Sequence, residues 1–182
     1  MGIVKSRKII FVGGVHGVGK TTLCNKVKDE FEIKHFSASN LISREKNGEK
    51  ESHRKQVADI SGNQNHLAVA VNRYFNNVDW YLLDGHFCLL DRNKDIALIP
   101  HSIYEEISPS AIIVLVDEPK SIYSRLSARD NVDYDLSLLR SFQEQEISQA
   151  KLVSQQLAIP YLIVNPNQNE NKALAFIGNL VV

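Results

Sequence analysis

The segment Gly14–Thr21 constrains this chain more than any other part of its sequence. It reads Gly-Val-His-Gly-Val-Gly-Lys-Thr and fits the pattern Gly-x-x-x-x-Gly-Lys-Ser/Thr at every fixed position. The apolar run Lys8–Val12 before it predicts a buried parallel strand. After it, Leu23, Val27 and Phe31 repeat every four residues, which is typical of an amphipathic helix. A loop between a strand and a helix is the setting that this pattern requires.

The residue types in this segment suit the binding of a phosphate chain. Glycines at positions 14, 17 and 19 leave no Cβ in the way, so backbone N–H groups can approach an anion. The next helix directs the positive end of its dipole at that anion. In this pattern the lysine reaches the β- and γ-phosphates and the hydroxyl ligates Mg²⁺. We therefore predict ATP and Mg²⁺ as cofactors, with Thr21 as a metal ligand. The predicted nucleotide-binding residues are Gly14, Val15, His16, Gly17, Val18, Gly19, Lys20, Thr21 and Thr22.

The length of the chain predicts one domain over residues 1–182. There are 21 basic and 21 acidic residues, and this neutral balance makes nucleic acid an improbable partner. Cys24 and Cys88 have no metal-ligand spacing, and reduced cysteines favour a cytoplasmic protein. The longest apolar run, Ala111–Val116, is too short to cross a bilayer, so no membrane association is expected. The sequence identifies no protein partner.

Apolar runs alternate with amphipathic segments along the whole chain. Strands are predicted at 8–12, 33–36, 80–84, 111–116 and 160–164. Further helices are predicted from 41 and at 63–75, 103–107, 120–128, 135–157 and 173–180. Segment 46–54 is interpreted as a helix end or loop, 87–99 as irregular and 165–167 as a turn. This alternation predicts an α/β fold: a doubly wound, five-stranded parallel sheet with helices on both faces.

Polar residues stand at the carboxyl ends of the predicted strands, where ligands bind in open parallel sheets. Asp84, in Asp84-Gly85-His86, is predicted either to hold Mg²⁺ or to act as a base toward an acceptor hydroxyl. A capping or loop carboxylate is the alternative. Asp117 is interpreted as structural. Asn165, after the fifth strand, is predicted to contact the nucleotide.

Arg125 and Arg129 are one helical turn apart and therefore share a helix face. Fixed guanidinium groups can neutralise the charge that phosphoryl transfer spreads over the moving group. We interpret both as catalytic, with two solvated arginines as the alternative. The segment at about 125–140 would then act as a short lid over the nucleotide. The predicted catalytic residues are Lys20, Asp84, Arg125 and Arg129.

The chain also resembles nucleoside monophosphate kinases of the P-loop NTPase class, and most of all adenylate kinase of the archaeal type. The resemblance rests on the phosphate-binding segment, on Asp84-Gly85-His86, on Arg125-Leu126-x-x-Arg129 and on Ser37-Ala38-Ser39-Asn40-Leu41. It implies the strand order 2-3-1-4-5. It also implies Mg²⁺-dependent transfer of the ATP γ-phosphoryl group to a nucleoside monophosphate.

The chain departs from those kinases at three positions. Cys88 stands where they have an arginine after the strand-end aspartate, and Val132 replaces an arginine at the far side of the lid. Arg44 is only approximately in register with the arginine of their monophosphate site. The sequence therefore leaves three alternatives open: a nucleoside monophosphate kinase, a kinase of another hydroxyl compound or a nucleic-acid end, and an ATP-driven regulatory switch.

Overall fold

The computed structural model describes residues 7–48, 60–91, 93–130 and 133–181. Most of the predicted loop at 46–54 lies outside these residues, as does Val132. Nothing in the described part of the chain tests those two interpretations.

The described chain contains seven strands and seven helices. In chain order the strands are β1 (Ile9–Gly13), β2 (Lys34–Ser37), β3 (Tyr81–Asp84), β4 (Cys88–Leu90), β5 (Ile96–Leu98), β6 (Ala111–Leu115) and β7 (Tyr161–Val164). The helices are α1 (Lys20–Phe31), α2 (Ala38–Gly48), α3 (Ile60–Tyr74), α4 (His101–Ile107), α5 (Pro119–Asp130), α6 (Leu136–Leu157) and α7 (Pro166–Val181). Within the described ranges, no helix combines the length and apolar character needed to cross a membrane.

The predicted α/β fold is confirmed. Five strands form a parallel sheet in the order β2-β3-β1-β6-β7, and β4 and β5 form a separate antiparallel hairpin. Counted without the hairpin, the order of the parallel strands is 2-3-1-4-5, as the resemblance implies. Every residue of the central strands β1 and β6 is buried, as expected for a sheet covered on both faces.

The register of the strands brings distant polar residues to one edge of the sheet. Asp84 at the end of β3 pairs with Val12 of β1 on one side and with Ser37 of β2 on the other. The chain leaves β1 into Gly14–Thr21 and leaves β2 into α2. Asp84 therefore lies between these two exits, at the carboxyl edge where ligands of open parallel sheets bind.

An aromatic cluster supports this edge from inside the core. The Phe11 ring packs edge-on against Phe87, with centroids 5.0 Å apart, and against Tyr104, with centroids 5.4 Å apart. The Tyr104 hydroxyl donates to the carbonyl of His86 at 2.9 Å. The two ring contacts and this hydrogen bond together fix the turn that follows Asp84 against β1.

The prediction of irregular structure over 87–99 is wrong, because this segment contains the β4–β5 hairpin. Each strand has three residues, too few to reveal an alternating pattern in the sequence. The Asp91 carboxylate closes the turn by accepting from the N–H groups of Asn93 and Asp95. Helix α7 also begins earlier than predicted, at Pro166, since proline is tolerated in a first helical turn.

Candidate active site

A cleft of about 870 Å³ opens at the carboxyl edge of the parallel sheet. Gly14–Thr21, called the phosphate loop from here on, forms one side of it. The opposite side comes from α2, α3 and α4. The predicted site residues that line the cleft are His16, Gly17, Val18, Gly19, Lys20, Thr21, Thr22, Asp84, Arg125 and Arg129. Gly14, Val15 and Asn165 are not among the lining residues.

The phosphate loop has the backbone that its glycines predict. The φ angles of Gly14, Gly17 and Gly19 are +138°, +78° and +107°, values that side chains disfavour. A Cβ at Gly14 would lie 2.7 Å from the Leu115 carbonyl oxygen, and one at Gly17 would lie 2.9 Å from the Leu126 side chain. Both space and conformation therefore require glycine at these two positions.

Lys20 is the first residue of α1 and folds back over the phosphate loop. Its Nζ donates to the carbonyls of Gly14 and Val15, the latter at 3.2 Å. Burial lowers the pKa of this lysine to about 8, although the carboxylates of Glu146 and Asp84 oppose the shift. The ammonium group thus lies where a phosphate chain bound to the loop would pass.

Asp84 is 8% exposed and reaches the cleft from the end of β3. His35 Nε2 on β2 is hydrogen-bonded to its carboxylate. The Cys24 thiol joins this pair, and the ligand atoms of the three side chains lie within 4.8 Å of one another. Sequence spacing could not reveal this cluster, because it is assembled by the β2–β3 pairing and by α1. With the Thr21 hydroxyl, Asp84 provides the oxygen donors that Mg²⁺ prefers, so these residues fit that ion.

Glu146 on α6 is a site residue that the sequence analysis missed. It is 0% exposed, and its carboxylate accepts from the N–H groups of Gly14 at 3.1 Å, Phe87 at 2.8 Å and Cys88 at 2.9 Å. Burial raises its pKa, and the three N–H groups oppose that shift. One signal was available: Glu146 stands one helical turn from Phe142 and from Ala150, on the apolar face of the predicted helix.

His86 adds a second contact to the first residue of the phosphate loop. Its Nδ1–H donates to the Gly14 carbonyl at 3.0 Å, and its ring centroid lies 4.4 Å from that of His16. Burial, and then the charge of Lys20, lower the pKa of both histidines. At neutral pH the His86 imidazole is therefore an uncharged structural partner of the loop.

Arg125 is held against the phosphate loop. Its Nε donates to the Gly17 carbonyl at 2.8 Å, and its Nη2 donates to Asp117 Oδ2 at 2.7 Å. Asn165 and Asn167 donate to the same carboxylate, each at 2.9 Å. Asp117 thus anchors Arg125 and the start of α7, which agrees with the structural role inferred for it. The nucleotide contact predicted for Asn165 stays a prediction.

Arg129 lines the same cleft but has a different partner. Its guanidinium pairs with the adjacent Asp130, with the Nη2–Oδ2 contact at 2.7 Å, and the Tyr134 hydroxyl binds the same carboxylate. Helix α5 ends at this aspartate and α6 begins at Leu136. The lid proposed for residues 125–140 stays a prediction.

The side of the cleft opposite the phosphate loop, called the acceptor side, has a different chemistry. Its described lining combines polar and apolar side chains. Among them are Ser37, Ser39, Ser43, Asn63, Gln64, Ile42, Leu67, Leu89, Ile103 and Tyr104. Lys46 is the basic residue among the described residues of this side, and its Nζ is hydrogen-bonded to Asn63. Arg44 turns away and stacks on the Tyr74 ring, 4.1 Å from the centroid.

Comparisons with known proteins agree with this architecture. A family model described as an AAA domain matches residues 13–141. The fold is similar to a gluconokinase from Sinorhizobium meliloti 1021, with a TM-score of 0.55 and 16% identity over 94% of this chain and 92% of that chain. It is also similar to shikimate kinase from Acinetobacter baumannii in complex with shikimate, with a TM-score of 0.60 and 16% identity over 95% and 92%.

A further neighbour is the YorR protein from Bacillus subtilis in complex with phosphorylated GDP, with a TM-score of 0.53 and 14% identity over 95% of each chain. No curated protein sequence matches the chain. At such low identity these likenesses establish the fold alone. The family match agrees with the predicted class, an ATP-dependent phosphotransferase. Kinship with archaeal-type adenylate kinase stays a prediction.

Proposed function

The chain belongs to the AAA domain family, and from this premise we propose that it transfers the γ-phosphoryl group of ATP to a hydroxyl of a small polar compound. The observation that carries the proposal is the position of Asp84. It ends β3 between the strand that leads into the phosphate loop and the strand that leads into the acceptor side. A carboxylate in that position can serve both the phosphate chain and an acceptor oxygen.

On the phosphate side, each group has a separate task. The loop N–H groups and the α1 dipole bind the β- and γ-phosphates, and Lys20 neutralises part of their charge. Arg125 is already oriented by Gly17 and Asp117, so little reorganisation is needed when charge develops on the moving phosphoryl group. Arg129 would join it only after leaving Asp130.

Thr21 and Asp84 would hold Mg²⁺, directly or through water. When bound, the ion offsets charge on the phosphate oxygens. The protein must also position the acceptor, because its hydroxyl has to approach the γ-phosphorus in line with the bond to ADP.

In the proposed reaction a bond forms between the acceptor oxygen and the γ-phosphorus. The bond from this phosphorus to the oxygen that bridges it to the β-phosphate breaks, and ADP leaves with those electrons. The acceptor proton passes to Asp84 if this carboxylate is not a direct ligand of Mg²⁺, and otherwise to water. His35 is hydrogen-bonded to the same carboxylate. The products are ADP and a phosphate ester.

The acceptor side supports a small hydroxyl compound with one anionic group. Serine hydroxyls and the amides of Asn63 and Gln64 can pair with acceptor hydroxyls, while Leu67 and Ile103 offer an apolar surface. Lys46 provides a positive charge for a carboxylate or a single phosphate. Two structural neighbours, named as a gluconokinase and a shikimate kinase in complex with shikimate, are kinases of hydroxyl compounds.

A nucleoside monophosphate is the second candidate for the acceptor. The resemblance carried by Asp84-Gly85-His86 favours it, as does the neighbour in complex with phosphorylated GDP. Against it, Arg44 stacks on Tyr74 outside the cleft, and Cys88 is buried where these kinases have an arginine. Within the described ranges, neither of these two positions supplies a cation to the acceptor side.

The test is a screen for ADP release with Mg-ATP and single candidate acceptors. The panel contains sugars, hydroxy acids and the common nucleoside monophosphates, with ATP alone as the background and Lys20→Met as the inactive control. Phosphorus NMR of each active mixture then identifies the product. A phosphate ester of a hydroxyl compound is the expected result. A nucleoside diphosphate made from a monophosphate would favour the second candidate, and ADP release equal to the background throughout would contradict both.

A further inference from the structure

Glu146 is a buried carboxylate that accepts hydrogen bonds from three backbone N–H groups, with His86 Nδ1 3.9 Å from its Oε1. It is 0% exposed and binds the N–H groups of Gly14, Phe87 and Cys88 at 2.8–3.1 Å. One oxygen, Oε1, accepts from Phe87 and Cys88, and the other, Oε2, accepts from Gly14. Since all three hydrogen-bond partners are donors, the two oxygens of the carboxylate satisfy them, whereas the NH2 group of an amide would face one of them with a hydrogen.

These three donors belong to the two segments that the proposed chemistry brings together. Gly14 begins the phosphate loop, and residues 87–88 directly follow the turn Asp84-Gly85-His86. The same Gly14 peptide is held at its carbonyl by His86, at 3.0 Å, and by Lys20. Both polar groups of Gly14 are therefore bound, one by Glu146 and the other by residues of the cleft.

Packing leaves this arrangement little freedom. A Cβ at Gly13 would lie 2.4 Å from the Phe87 ring and 3.4 Å from Glu146 Oε2, so the β1 end, the ring and the carboxylate are in close contact. Glu146 stands on α6, in the middle of its 22 residues, and the helix itself is packed on β4 and β6. The carboxylate thus ties the phosphate loop to a rigid element.

We propose that Glu146 is a positioning residue that holds the start of the phosphate loop and the segment after Asp84 in register, so that Lys20 and Asp84 face the same phosphate group. The expected loss of turnover rests on the proposed function. The expected loss of Mg-ATP affinity rests on nucleotide binding alone. Glu146 is not among the residues that line the cleft. It acts through Gly14 and the 87–88 backbone.

The experiment compares Glu146→Gln with a matched control, Glu144→Gln, which lies exposed on the same helix. Glutamine keeps the size of the side chain but replaces one acceptor oxygen with a donor. Misplacement of the phosphate loop should lower Mg-ATP affinity about tenfold to a hundredfold, equivalent to about 1.4–2.7 kcal/mol. The turnover number should fall by at least as much, because misplacement of Asp84 acts on the chemical step.

A purely structural role predicts a different outcome. Glu146→Gln would then melt at a lower temperature, yet its affinity for Mg-ATP and its turnover number would stay within about threefold of the wild-type values. That result would overturn the proposal. Binding of a fluorescent ATP analogue is measured without an acceptor, so failure of the acceptor assignment would leave this part of the test intact.

A second measurement on the wild-type protein covers the case in which the variant does not fold. Amide hydrogen exchange should find the N–H groups of Gly14, Phe87 and Cys88 strongly protected in the nucleotide-free protein, since all three are bound to a buried carboxylate. The N–H of Thr22 provides a comparison within the same region, because it lies in the first turn of α1, where backbone N–H groups have no intrahelical acceptor. Exchange of Gly14 as fast as a solvated loop amide would contradict the proposal.

Discussion

The two sides of the cleft are built differently. On the phosphate side, groups are fixed by several hydrogen bonds each: Gly14 is bound at both its N–H and its carbonyl, and Arg125 is held by Gly17 and Asp117. On the acceptor side, most of the described lining consists of side chains on α2, α3 and α4. The lysine there, Lys46, is bound to a single described neighbour, Asn63.

This difference follows from what each side must recognise. The triphosphate of ATP offers the same anionic oxygens to every protein that binds it, so a fixed set of N–H groups can bind it. An acceptor differs from one kinase to another, and side chains on helix surfaces can change without disturbing the sheet. We therefore expect changes on the phosphate side to reduce turnover severely, and changes on the acceptor side to alter mainly the choice and affinity of the acceptor.

The largest effect is expected for Lys20→Met. The substitution removes the charge that binds the β- and γ-phosphates, so turnover should fall by orders of magnitude while the circular dichroism spectrum is preserved. Steady-state ADP release with the best acceptor measures it, and Lys28→Met, exposed on the same helix, is the control. Near wild-type turnover in a folded Lys20→Met protein would refute the nucleotide assignment.

Asp84→Asn should rank second, with a loss of about a hundredfold or more in turnover number. The amide keeps the shape of the side chain but removes the charge needed for Mg²⁺ or for the acceptor proton. Affinity for ATP should change much less, since the phosphate loop is intact. Titrations of ATP and Mg²⁺ separate the two parameters, and Asp79→Asn, just before the same strand, is the control. Unchanged kinetics at saturating Mg²⁺ would give Asp84 a purely structural role.

Arg125 and Arg129 offer a comparison within one helix. Removing a fixed donor from a closed site costs roughly 2.7–4 kcal/mol, or about a hundredfold to a thousandfold in rate. Arg125→Ala should show such a loss in both the turnover number and kcat/KM. Arg129 is paired with Asp130, so Arg129→Ala reaches that size only if the 125–140 segment closes over the nucleotide. Losses below about threefold in both variants would remove the arginines from the proposed reaction.

Lys46→Ala tests the acceptor side of the cleft. Loss of this charge should raise the KM of an anionic acceptor about tenfold, equivalent to about 1.4 kcal/mol, with the KM of ATP unchanged. Arg44→Ala is a matched control, because Arg44 lies nearby on α2 but stacks on Tyr74. An equal effect of both substitutions would mean that Lys46 does not contact the acceptor.

The smallest effect is expected from pH. Burial lowers the pKa of Lys20 to about 8, so the free protein loses this positive charge as pH rises from 7 to 9. Affinity for ATP should fall over that range by less than about tenfold, because the charged form is the one that binds phosphate. At saturating ATP the phosphates favour the charged form, and turnover should change little. An ATP affinity that is constant between pH 7 and 9 would contradict this assignment.

Much of the phosphate side was predictable because its information is local in the sequence. The glycines at 14, 17 and 19, the following lysine and the apolar run before them specify a strand, a tight loop and a helix from neighbouring residues alone. The alternation of apolar runs and amphipathic segments likewise predicted the parallel sheet, because buried strands and surface helices have different periods. The β4–β5 hairpin was missed because its strands are too short to show a period.

The tertiary structure alone decided which distant residues support the site. Glu146 lies 132 residues from Gly14 in the chain, and only the packing of α6 under the phosphate loop brings the two together. The helical face of α2 decides that Lys46 lines the cleft while Arg44 stacks on Tyr74. The sequence by itself determined the fold class and the phosphate loop, since these depend on local conformation and periodicity. Pairings between distant side chains depend on packing, which no local pattern encodes.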